Sequence, residues 1–239
     1  MEENIYIENQ KELFQKKYDK WRNVNSKDKV ERQKILLELD ELAEIINKID
    51  VVFTSAIFVR LAVLSLIAKN FKIAKKYFLK VIAKADYLKK DIDVLEYAYR
   101  GLGDLYFEKK KYKKASEQYF LLQKIQDIEE LLEEDILQMT TAMLNTNNQK
   151  YLKAAEQLLQ YLFVEGLCDD KMDHLFSTQA NNNMGIIKYK QGKYNEAKPY
   201  LEKALSLYKQ RKWDCKNISR LLNNIADTDE NKPLSSPNK

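Results

Sequence analysis

Glycine and proline are scarce: 5 and 3 in 239 residues, with Pro233 and Pro237 crowded near the last position. Glycine interrupts regular backbone through its conformational freedom, proline through its fixed φ and missing N–H. So few breakers over so long a chain exclude a turn-dense sandwich or barrel and predict helix nearly throughout. The two cysteines, Cys168 and Cys215, have no paired spacing, which excludes a disulfide framework and suits a reducing compartment. The single histidine, His174, leaves both cysteines without a histidine neighbour in sequence, and no glycine-rich phosphate loop occurs. His174 lies in CDDKMDHLF beside Asp169, Asp170 and Asp173, where Asp170 and His174 could share a helix face. Acids at the start of a helix are also what its dipole favours, so capping is preferred to a metal site. Long apolar runs are missing too: Ala56 to Ala68 is broken by Arg60 and is too short to span a bilayer. The opening MEENIYIENQ has acids and no apolar core, which argues against a secretory signal. These absences point to a cytoplasmic protein that is not an enzyme and has neither cofactor nor metal.

What is present is amphipathic helix. Hydrophobic residues make up 45% and charged ones 32%, enough for a substantial core under a well-solvated surface. The net charge of +5 is too small to imply nucleic acid by itself. A first helix is expected over Ile5–Arg22, with Phe14, Tyr18 and Trp21 on one stripe. After the polar turn NVNSKD, where Ser26 or Asp28 could act as a cap, a second spans Lys29–Lys48. In it Ile35, Leu39, Leu42, Ile46 and Ile49 step by four and three, the clearest amphipathic pattern in the chain.

The stretch Thr178 to Lys209 reads as two helices, one running to Lys190 and one starting at Tyr194, joined by a turn at Gly192. Small residues, Gly185 and Ala197, fall where the pair would cross, and close helix approach requires small side chains there. Leu102, Gly103, Tyr106, Tyr112, Ala115 and Tyr119 repeat the pattern upstream. So do Leu61, Ala62, Phe71, Ala74 and Phe78, and, more weakly, Ala142, Tyr151, Ala154 and Leu158. Ala62, Gly103, Ala142 and Gly185 are separated by 41, 39 and 43 residues. Trp213 to Ala226 puts Ile218, Leu221, Leu222 and Ile225 on one face, as a closing helix would.

Thr178 to Lys209 resembles the tetratricopeptide repeat, a 34-residue helical hairpin with a small residue in each helix. The resemblance implies an all-α fold, a right-handed α-solenoid (superhelix) of about eleven helices. Four hairpins over residues 51–211 would follow an N-terminal hairpin (1–50) and precede a capping helix (212–227) and a disordered tail (228–239). In that family the first helix of each hairpin lines a concave groove that holds an extended peptide or a partner helix. Carried over by position, the groove candidates are Gln179, Asn182, Asn183, Ile186, Tyr189 and Lys190 in the last repeat. Tyr97, Arg100, Asp104 and Phe107 come from the second, Met139, Met143 and Asn147 from the weak one, and Arg60 from the first. Asparagine amides both donate to and accept from a peptide backbone, and methionine and aromatic side chains give adaptable apolar contact.

Chaperone-binding repeats clamp a carboxylate with lysine, asparagine and arginine. Here only Asn183 fits, and Asp104 beside Arg100 would repel such a ligand. Repeats longer than standard, with asparagines on inner helices, look like peptide-pheromone receptors of Gram-positive bacteria, the Rap, PlcR and Rgg type. The leading expectation is a scaffold that binds a peptide or partner segment in the groove, and the alternative is an intracellular receptor for a short signalling peptide. A third reading takes Lys72, Lys76, Lys80 and Lys84, every fourth residue along one helix, with Lys109 to Lys114, as a basic surface. That surface could recruit nucleic acid or anionic membrane, although a solvated face explains it equally well.

Overall fold

Apolar spacing of three and four between so few breakers resolves into eleven α-helices and one 3₁₀ turn, with no strand among the described residues. The computed structural model describes residues 2–24, 28–47, 51–88, 90–168 and 174–230. The helices are α1 (Glu2–Asn23), α2 (Lys29–Asn47), α3 (Val51–Ile67), α4 (Phe71–Ile82), α5 (Ile92–Glu108) and α6 (Tyr112–Ile125). After the 3₁₀ turn Ile128–Glu130 come α7 (Glu133–Leu144), α8 (Gln149–Val164), α9 (His174–Lys190), α10 (Tyr194–Gln210) and α11 (Lys216–Glu230). By their contacts they form two compact units. The first is Met1–Lys111 with Glu117–Gln126, the second Tyr112–Ser116 with Asp127–Lys239.

In the first unit neighbouring helices pack in succession from α1 to α5. The indole of Trp21 is buried and donates to the Arg32 carbonyl at 3.1 Å. The Arg32 guanidinium stacks over that ring and donates to the Val24 carbonyl. Asp28 caps α2 by accepting from the Glu31 N–H, while Ser26, Lys48 and Ile49 lie outside the described residues. The expected stripe Ile35, Leu39, Leu42 and Ile46 is buried, and Leu36 and Ala43 widen it. Small residues stand where helices approach closely. A Cβ on Gly103 would lie 2.4 Å from the Tyr119 ring, and one on Gly101 2.2 Å from the Phe78 ring.

Three of the four lysines in the row along α4 and just past it have partners on α2, and Lys72 is exposed. Lys76 pairs with Asp40, Lys80 with Glu44 and Lys84 with Asn47, so one side of α4 is zipped to α2. Lys80 and Lys84 also lie over the Phe58 ring. A four-residue spacing describes a stripe equally well whether it faces water or the next helix, which is why sequence alone left it open.

In the second unit α7 packs with α8 and α9, α9 with α10, and α10 with α11. A Cβ on Gly185 would meet the Leu201 side chain at 2.7 Å. Ala197, Leu201 and Ala204 form a core with Ile218 and Ile225, against which Leu221 and Leu222 pack. The closing helix starts at Lys216 rather than Trp213 because Asp214 accepts the Lys216 N–H and Trp213 stays in the turn against Tyr208. It runs on to Glu230, past Ala226 into the segment expected as a tail; residues 231–239 lie outside the described ones.

One turn recurs. Lys69 after α3, Lys110 after α5, Gly192 after α9 and Lys212 after α10 all have left-handed φ, between 55° and 76°. Each is followed by an N–H that reaches back to the last helical turn: Asn70 to Ser65, Lys111 to Tyr106, Lys193 to Lys188 and Trp213 to Tyr208. This is the 6→1 closure of the Schellman motif, which satisfies carbonyls the helix end leaves bare.

Candidate partner-binding face

Gln179, Asn182, Ile186 and Tyr189 step by three and four along α9, which puts them on one stripe. Gln179 is exposed and the other three are half-buried, whereas Ala180, Met184 and Ile187 on the other side are core. The three consecutive asparagines divide by direction. The amide of Asn181 is buried and donates to the Ser177 carbonyl at 2.8 Å. That of Asn183, also buried, donates to the hydroxyls of Thr140 at 3.3 Å and Thr141 at 3.0 Å, which ties α9 to α7. Asn182 alone keeps accessible surface, and among the described residues nothing hydrogen-bonds its side chain.

Two groups of expected groove residues are placed elsewhere. Met139 and Met143 are fully buried in α7, which packs against both α8 and α9 and so has apolar residues on more than one side. Asn183 is a structural tether rather than a surface donor. Lys190 leaves the stripe as well: its ammonium reaches the Leu144 carbonyl at the end of α7 and the Asn147 side chain. A cation there complements the α7 dipole, and burial pulls the Lys190 pKa below its ordinary value. Asn147 is exposed, with φ of 55° in the α7–α8 turn. Tyr189 remains on the stripe, its hydroxyl accepting from Asn224 of α11 and its ring 5.3 Å from that of Tyr194.

In the first unit Tyr97 is 58% exposed on α5. Nearby, Arg100 donates to Glu96 at 2.8 Å and to Gln126 at 3.3 Å, Asp104 accepts from the Tyr119 hydroxyl at 2.7 Å, and Phe107 is half-buried. Arg60 is exposed and turns toward α1, where it reaches Gln15 and lies over the Tyr18 ring.

Sequence reasoning missed a buried ionic cluster. Lys188 of α9 contacts Glu156 of α8 at 2.6 Å and Glu196 of α10, and Gln191 donates to the second Glu156 oxygen at 2.7 Å. Burial pushes the Glu156 carboxyl up, but hydrogen bonds from Lys188 and Gln191 outweigh it and leave the pKa below its usual value. Burial likewise depresses Lys188, and its two glutamates more than offset this and raise it. A signal existed: Glu156 sits on the Leu152–Leu159 stripe of α8, and Lys188 one turn beyond Met184 on the core side of α9.

Burial pushes the Cys168 thiol up to about 12, out of the reactive range. Among the described residues no three His, Cys, Asp or Glu groups could hold a metal. Asp169, Asp170, Asp173 and the His174 side chain lie outside that description. No helix of the described residues is long and apolar enough to cross a membrane.

Residues 178–211, from the second turn of α9 to the residue after α10, match the family model of the tetratricopeptide repeat. No curated protein matches the chain. The all-helical fold and this match together support a tetratricopeptide-repeat protein, a class that generally mediates contacts between proteins.

Proposed function

We propose that the protein is a scaffold whose α9 stripe, Gln179, Asn182, Ile186 and Tyr189, receives an extended segment of a partner protein. The observation that carries the reading is the sorting of the asparagines: Asn181 and Asn183 are consumed inside the second unit, and Asn182 is left with accessible surface. An uncommitted amide offers a donor and an acceptor to a peptide backbone, and Ile186 and Tyr189 beside it supply apolar contact. The pairing of Lys76, Lys80 and Lys84 weakens the basic-surface reading along that row, while Lys72 and Lys109 to Lys111 stay exposed. A receptor for a short signalling peptide is a narrower form of the same proposal.

The test is a displayed library of random heptapeptides and dodecapeptides selected on the wild type and counter-selected on Asn182→Lys/Ile186→Asp. Selected peptides should bind the wild type, protect α9 amides from hydrogen exchange, and lose the variant. If the winners bind the variant equally while its circular dichroism is unchanged, the α9 stripe is not the site. A heptapeptide that raises the melting temperature in proportion to its occupancy favours the receptor form.

A further inference from the structure

The first unit carries a concave surface whose lining shares no residue with the α9 stripe. The start of α2 and the end of α3 enclose an open cleft of about 870 Å³. Its apolar surface includes Val30, Leu37 and Ile67, which are 82%, 53% and 58% exposed. These three aliphatic residues converge on one concavity instead of lying scattered over the surface. Lys29, Lys34 and Lys69 stand among them, and no acid is found among the described lining residues. Arg32, also in the lining, is held by the Val24 carbonyl and the Trp21 ring, so its charge is fixed in place.

We infer that this cleft binds an acidic, leucine- or phenylalanine-rich segment of a partner protein. The charge pattern selects the sign: four cations around an apolar floor, with no carboxylate among the described lining residues and Glu38 the acid facing Lys34 from outside it, attract aspartate and glutamate and repel a basic segment. Openness selects the class. Val30 at 82% exposure belongs to a floor open to water, which suits side chains laid down from a peptide rather than an acyl chain that needs sheathing. The lysine stems extend the apolar surface while their ammonium groups reach carboxylates above it.

The probe is a fluorescein-labelled octapeptide, Asp-Asp-Leu-Phe-Asp-Asp-Leu-Leu, followed by fluorescence anisotropy on the full chain. Saturable binding that weakens with added salt is expected. The same peptide with lysine in place of aspartate should not bind. Lys34→Glu/Lys69→Glu should weaken binding at least about tenfold, since it reverses two rim charges. Val30→Asp, at a position too exposed to disturb folding, should do the same. Asn182→Lys/Ile186→Asp should bind like the wild type, which separates this site from the α9 stripe. Equal binding of the lysine peptide, or wild-type affinity in both cleft variants, overturns the proposal. Displacement by sodium oleate below its micellar concentration overturns it in favour of a lipid.

Discussion

The hairpin α3–α4 and the hairpin α9–α10 use lysine in opposite ways. On α4 the lysines stand half in water and reach across to α2, with Lys76 and Lys80 side chains 47% and 28% exposed. On α9 a single lysine, Lys188, is sunk to 9% side-chain exposure between two glutamates. The first arrangement is spread over several weak, screened contacts, none of them indispensable. The second concentrates the charge in one place, where water has little access to Lys188 and Glu156, at 9% and 12% side-chain exposure. Similar hairpins are thus joined to their neighbours with very different sensitivity to a single substitution.

The largest effect is therefore expected at Lys188. Lys188→Met leaves the Glu156 carboxylate with the Gln191 amide and a looser ion pair to Lys193 at 3.9 Å, and should cost about 2–3 kcal/mol by urea denaturation, below the cost of a wholly uncompensated buried charge. Glu156→Leu/Lys188→Met removes both charges and should recover most of that loss. The pH profile follows from the two shifts. Glu156 is lowered from 4.5, so its contribution is present above that value and fades as pH falls through the folded-state pKa. Lys188 is raised from 10.5, so its contribution is present below that value and fades as pH rises through the folded-state pKa. The wild type should lose stability at both edges, and the double variant should be flatter. A loss under about 1 kcal/mol in Lys188→Met would place the ion pair in solvent and erase the contrast.

How much of this was readable beforehand depends on how local the cause is. The α9–α10 hairpin was legible in detail, because Gly185, Gly192 and Ala197 are small or permissive for reasons that lie within the hairpin itself. The α2 stripe was legible because one side of that helix faces core. Met139 and Met143 were not, since α7 is covered on more than one side and periodicity cannot then say which residues stay outside. The three asparagines read as one polar run, yet Thr140 and Thr141, some forty residues away, decide that Asn183 turns inward. The α4 lysines were ambiguous for the same reason: their partners Asp40, Glu44 and Asn47 belong to another hairpin.

The turns give the next contrast. Gly192 occupies the left-handed position after α9, whereas Lys69 fills the equivalent one after α3 with φ of 56°. A side chain there is strained and glycine is not, so Lys69→Gly should raise stability by about 0.5–1 kcal/mol, net of the added unfolded-state entropy. Gly192→Lys should lower it by about 1 kcal/mol; an added Cβ at Gly192 has open space, so the cost is conformational rather than steric. Equal and opposite shifts in the two denaturation midpoints would tie the turns to one motif. A neutral result in both would mean that tertiary contacts, not the turn, hold these hairpins closed.

The smallest effect belongs to the α4 zipper, and salt is what distinguishes it. Lys76→Ala should cost less than about 1 kcal/mol, because an exposed pair gains little over hydration and must immobilise a long side chain. Lys80→Ala should cost somewhat more, since Lys80 also covers the Phe58 ring at 4.8 Å. Screening should shrink the Lys76–Asp40 coupling in a double-mutant cycle as sodium chloride rises toward about 0.5 M, where the screening length falls below 5 Å. The Lys188–Glu156 coupling should persist over the same range, because its charges are shielded from the ions that screen the first. If both couplings decline in parallel, the two hairpins are held by one kind of interaction, and burial is not what sets Lys188 apart.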